Sequence, residues 1–156
     1  MRPNKGLLER IGARVLADAA YLRTQPLATE PPATAVWDAT GARILFSGPW
    51  RGYVEIWAPA EVARLLAANM LGQETTDPDI AETFLDAMME TLNVVCGNLL
   101  AELAGQGPVF RIAAPRACRE LVPFSEQTPG VDAWLEADGY PILLRMSVAE
   151  SKTQVA

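Results

Sequence analysis

Apolar positions recur at helical spacing from about Gly6 to Leu22, where Leu7, Leu8, Ile11, Val15, Leu16 and Ala19 stand among charges. That period predicts an amphipathic helix packed against another element. Pro26, Pro31 and Pro32 then break the pattern and predict an extended linker over Thr24–Ala33. Three strand-like runs follow. The first is Thr34–Ala39, closed by a turn at Thr40-Gly41; the second is Ala42–Ser47; the third is Tyr53–Trp57, set off by Gly48-Pro49 and Gly52. Val54 and Ile56 alternate with Tyr53, Glu55 and Trp57, the pattern of a half-buried antiparallel strand.

Ala58-Pro59 opens a second helix over Ala60–Leu71, with proline at a first-turn position that needs no N–H, and Gly72 ends it. A polar, acidic loop covers Gln73–Asp77. Asp77-Pro78 reads as an N-cap followed by a first-turn proline, so a third helix is predicted from there to about Ala104, stopped by Gly105 and Gly107. The remainder predicts strands over Val109–Ala113, Cys118–Phe124, Val131–Glu136 and Ile142–Val148, with turns at Thr128-Pro129-Gly130 and Asp138-Gly139 and a frayed tail after Glu150. The expected architecture is one α+β domain spanning residues 1–156. A mostly antiparallel sheet would pack against two or three helices.

Composition narrows the chemistry. The 21% of residues that are charged are scattered among 50% that are apolar, which fits a globular chain. The formal charge is −6 and no basic cluster stands out, so nucleic acid is not an expected partner. No run is long enough to span a membrane, and Glu9, Arg10, Arg14 and Asp18 interrupt any signal-like stretch; a cytoplasmic protein is expected. Histidine is absent, which removes Ser-His-Asp and Cys-His catalysis, histidine bases and nearly all zinc enzymes. The two cysteines, Cys96 and Cys118, lack metal-ligand spacing and form no secreted disulfide framework, so no metal site is expected. Trp37, Trp50, Trp57 and Trp134 read as core or rim packing, and Arg111, Arg116 and Arg119 as solvated surface.

The third helix carries the pattern that composition does not explain. At about 100° per residue, Glu90, Asn93 and Gly97 fall in a narrow arc around Asp86. Phe84, Met88, Leu92, Val95, Leu99 and Leu103 occupy the opposite side. Asp86 and Glu90 are like charges one turn apart, and no lysine or arginine lies three or four residues from Glu90. Gly97 sits mid-helix, at a cost of about 1 kcal/mol relative to alanine. Each choice is locally unfavourable, and together they mark a docking surface.

Asp86-Ala-Met-Met-Glu90-Thr-Leu-Asn93-Val-Val-Cys-Gly97-Asn98 resembles the signature of the CheC/CheX/FliY phosphatases, Asp/Ser-x-x-x-Glu-x-x-Asn followed by Gly-Asn. Phe46-Ser-Gly-Pro-Trp-Arg-Gly52, Met70-Leu-Gly72 and the acidic loop after them are similar to the same family, so the likeness runs over roughly residues 5 to 148. A single motif copy resembles CheX rather than CheC. The resemblance implies hydrolysis of the aspartyl phosphate of a CheY-type receiver domain. Asn93 would orient the attacking water, and Glu90 would pair with a receiver lysine. Asp86, Gly97 and Asn98 would serve the partner surface, Gly97 by close approach and Asn98 more through structure than contact. Mg²⁺ would come from the receiver, and no cofactor would belong to this chain. A non-catalytic adaptor of the same fold, binding a response regulator or the flagellar switch, stays open. So does a dimer formed through the sheet.

Overall fold

The computed structural model describes residues 2–31 and 39–150. The run expected as a strand over 34–38, Trp37 within it and the tail after Glu150 lie outside them.

Helix α1, Lys5–Ala20, starts where the Asn4 side chain accepts from the Leu7 N–H at 2.9 Å, and ends at Tyr21 in a left-handed conformation. Strand β1, Gln25–Pro26, follows. Strands β2, Ala39–Ser47, and β3, Trp50–Pro59, form a hairpin that leads directly into α2, Ala60–Leu71. The Asp77 carboxylate caps α3, Pro78–Ala104, accepting from the Asp79 N–H. Short strands β4, Arg111–Ile112, and β5, Arg116–Cys118, precede the long hairpin of β6, Gly130–Ala137, and β7, Tyr140–Glu150. The sheet runs β1-β6-β7-β3-β2-β4, with β5 also on β2, and every pairing is antiparallel. The α+β architecture expected from the sequence is therefore present.

All three helices cover one face of the sheet. Leu8, Ile11 and Leu16 of α1, Val62 and Leu66 of α2, and Met88, Leu92 and Leu99 of α3 bury against Ile44, Val54, Ile56, Leu135, Ile142 and Leu144. At roughly 25 cal/mol per Å² of apolar surface removed from water, this layer is the principal stabilising term. Helix α1 comes so close at Gly12 that a Cβ there would stand 2.2 Å from the Leu144 Cδ1.

The strands depart from expectation in several places. Strand β2 runs unbroken through Thr40-Gly41. Gly41 is required there by packing, since the Trp57 ring lies 2.5 Å from where its Cβ would be. The linker contributes β1, which pairs with the β6 edge, where proline's missing donor is tolerated. Of the runs expected over Val109–Ala113 and Cys118–Phe124, only Arg111–Ile112 and Cys118 enter the ladder, and β5 begins at Arg116, ahead of the second run.

A further departure is that β3 runs from Trp50 through Gly52, where a break was expected, and that its stretch Val54–Ala58 is buried on both faces. Segment 119–129 leaves the edge and crosses the outer face, with Phe124 lying over the Arg145 guanidinium at 4.1 Å and the Val122 carbonyl accepting from it at 2.7 Å. Under this cover Arg43, Glu55, Arg145 and Asp132 stand side by side on four adjacent strands, alternating in sign. Glu55 is fully buried; it accepts from Arg43 Nε at 2.8 Å and Trp57 Nε1 at 2.9 Å, and Arg145 donates to Asp132 at 2.7 Å. Beside this row, Trp57, Trp134 and Leu143 form a small second core.

Candidate functional site

The rotation of α3 is fixed by what it buries. Met88, Leu92, Val95 and Leu99 point into the sheet-facing core, while Ile80 and Ala87 pack against Ala67 and Ala68 of α2. Thr91 is buried as well, donating to the Ala87 carbonyl at 2.8 Å beside the Met70 sulfur. Toward its other end the helix is tied to α1, where Arg10 pairs with Glu102 at 2.9 Å and Arg14 donates to Asn98 at 3.0 Å.

These contacts leave one stripe facing solvent. Asp86, Glu90 and Asn93 are all exposed, and among the described residues their side chains have no hydrogen bond or ion pair. Gly97 continues the stripe, and a Cβ added there would meet nothing within 4 Å. Packing inside the chain therefore does not require glycine at that position. The backbone is bare beside Asn93, as a surface contacted closely from outside would need. Asn98 differs from the others. Its amide donates to the Val94 carbonyl at 2.8 Å and accepts from Arg14, so it is engaged within the chain.

Two neighbours of the stripe were not singled out from the sequence. Val94, next to Asn93, is 39% exposed and gives the face an apolar margin. Arg14 reaches α3 from α1, a relationship that a search of helical neighbours three or four residues apart does not reach.

The chemistry open to this face follows from its groups. Two carboxylates without a cationic partner can receive a cation from another molecule. A primary amide both donates and accepts a hydrogen bond without titrating, so it can hold a water in one orientation. No cluster of three or more histidine, cysteine, aspartate or glutamate side chains that could hold a metal occurs among the described residues. Neither thiol is set up as a nucleophile. Burial pushes the Cys96 thiol up to about 12, and burial followed by the nearby Glu55 charge raises that of Cys118. Among the described residues no helix is long and apolar enough to cross a membrane.

The family comparison matches residues 40–121, just over half of the chain and including all of the stripe, to Chemotaxis phosphatase CheX. The chain belongs to the CheX family. Among solved structures it is similar to CheX in the CheX–CheY–BeF3–Mg²⁺ complex from Borrelia burgdorferi, at 17% identity over 93% of this chain and 97% of that one, with a TM-score of 0.72. A putative chemotaxis protein from Desulfovibrio vulgaris Hildenborough matches at 20% identity over 92% and 95% of the two chains, with a TM-score of 0.72. Chemotaxis protein CheX from Vibrio vulnificus matches at 21% identity over 92% and 95%, with a TM-score of 0.70. At these identities the structures establish a shared CheX fold. No curated protein matches the sequence.

Proposed function

We propose that this CheX-family chain acts as one domain that hydrolyses the aspartyl phosphate of a CheY-type receiver. Asn93 holds the attacking water in line with the phosphorus, and Glu90 receives a lysine of the receiver and sets the register. Asp86 adds negative charge to the same face, and Gly97 lets the partner's backbone come close. An acyl phosphate is labile, and what it lacks is a positioned nucleophile; a fixed amide supplies orientation, the role an amide also plays in GTPases. Charge stabilisation falls to the receiver and to the Mg²⁺ it brings, as the Borrelia complex contains CheY, BeF3 and Mg²⁺ together. This division of labour accounts for an enzyme without histidine.

The observation that carries the reading is the exposed, unpartnered Glu90–Asn93 pair on a helix whose rotation the core fixes, within the region matched to the phosphatase family. The test is the decay of phosphorylated receiver domains from the same organism, followed with and without this protein. Faster decay of at least one supports the enzyme. Binding to receivers without faster decay of any supports the adaptor instead.

A further inference from the structure

The outer face of the sheet holds a groove of about 620 Å³ that lies outside the α3 surface. Its floor is Leu45 of β2 and Tyr53 and Gly52 of β3, with Ile112 and Ala113 on one side and Gln127 and Thr128 of the crossing segment on the other. Leu45 is 50% exposed and Ile112 37%, so apolar surface faces water here. One row across the sheet gives the groove a polar end. Arg111 of β4 pairs with Ser47 of β2, and Arg51 occupies the next position of the β2–β3 register, beside Ala149 of β7. Among the described residues neither guanidinium has a hydrogen bond or ion pair, the Ser47 hydroxyl between them has no partner, and no carboxylate lines the groove. In a chain of net charge −6, two free arginines and a hydroxyl at the end of an apolar trough are a local reversal of sign.

We propose that this groove binds a small molecule with an apolar body and one anionic head group, a carboxylate, sulfonate or phosphate monoester. The head would lie between Arg51 and Arg111, where charge-assisted hydrogen bonds form, and the body over Leu45, Tyr53 and Ile112. The volume falls in the range of about 300–1,000 Å³ that small ligands occupy. An extended peptide fits the site poorly, because β4 and β5 already occupy the β2 edge and leave no main-chain groups there for an added strand. A second copy fits it poorly too. A two-fold contact through this groove would bring arginines against arginines with no acid to meet them.

The probes are 8-anilinonaphthalene-1-sulfonate and its neutral counterpart N-phenyl-1-naphthylamine, titrated by fluorescence against the folded full chain. The sulfonate is expected to bind more tightly than the amine. The Arg51→Ala/Arg111→Ala double variant is expected to weaken the sulfonate by about tenfold or more and to leave the amine within about twofold. Amide shifts of the wild-type chain with the sulfonate are expected at Leu45, Tyr53 and Ile112, which locates the site without any variant. Equal loss of both probes in the double variant, or shifts confined to other surfaces, would overturn the proposal. So would a dimer in solution that Leu45→Glu dissociates, since the groove would then belong to a second copy.

Discussion

Arg14 of α1 donates to Asn98 of α3 across the helix pair at 3.0 Å, while the Asn98 amide returns a hydrogen bond to Val94 one turn earlier. The residue that follows Gly97 in the family signature thus ties two helices together, directly behind the exposed stripe. Asn98→Ala is expected to cost about 1 kcal/mol in urea unfolding, the scale of a partly exposed hydrogen bond, and to leave receiver dephosphorylation within about twofold. Loss of receiver binding at unchanged stability would instead put Asn98 on the contact surface.

Gly97→Ala should separate stability from docking. A methyl group there meets nothing in the free chain, and alanine is favoured mid-helix, so unfolding should become harder by about 0.5–1 kcal/mol. Against a partner backbone the same methyl is an intrusion, and receiver affinity should fall by about tenfold, as measured by titration. A stabilised variant with undiminished affinity would remove Gly97 from the interface.

How far the sequence reaches depends on how local the cause is. Helix α3 is legible to the residue because its signals are its own, the Asp77 cap, Pro78 and the period that buries Met88, Leu92 and Leu99. Exposure of Asp86, Glu90 and Asn93 follows from the same period. Gly41 is misleading as a turn because its cause, the Trp57 ring, sits on the next strand. Residues 119–124 have strand-like composition, yet they leave the ladder to cover Arg145 on β7, a contact no local pattern contains. Under the proposed mechanism the groups that meet Glu90 and Asn93 would belong to another molecule, so the packing of this chain carries no imprint of them.

Glu55 is the keystone of the charge row. Its removal leaves Arg145, only 4% exposed at the side chain, without one of its two carboxylates, and leaves Arg43 and the Trp57 N–H without an acceptor. Glu55→Ala is expected to destabilise the fold by about 3–5 kcal/mol in chemical denaturation. Arg43→Ala leaves the buried Glu55 Oε1 without its donor while Trp57 and Arg145 still meet Oε2, so it should cost about 1–3 kcal/mol, less than the loss of Glu55. Similar costs for the two variants would contradict this account of the row.

Cys96 makes alkaline stability directional. Its thiol rises from 9.0 to about 12 on burial, so above pH 9 the unfolded chain releases a proton that the folded chain keeps. Stability from this group is whole below pH 9 and falls by about 1.4 kcal/mol per pH unit as the pH climbs towards 12. Cys96→Ala should flatten that part of the profile relative to the wild type, measured by urea unfolding between pH 8 and about 11. An unchanged slope would mean that the thiol does not contribute.

The most direct test of the central claim uses Asn93→Ala with two readouts on the receiver that the wild type acts on. One is the rate of aspartyl-phosphate decay, and the other is affinity for the same receiver activated with beryllofluoride and Mg²⁺. If the amide orients the attacking water, the variant loses acceleration by about 100-fold or more while affinity stays within a few-fold. If Asn93→Ala accelerates decay as well as the wild type does, Asn93 has no part in the chemistry and the proposed mechanism is wrong.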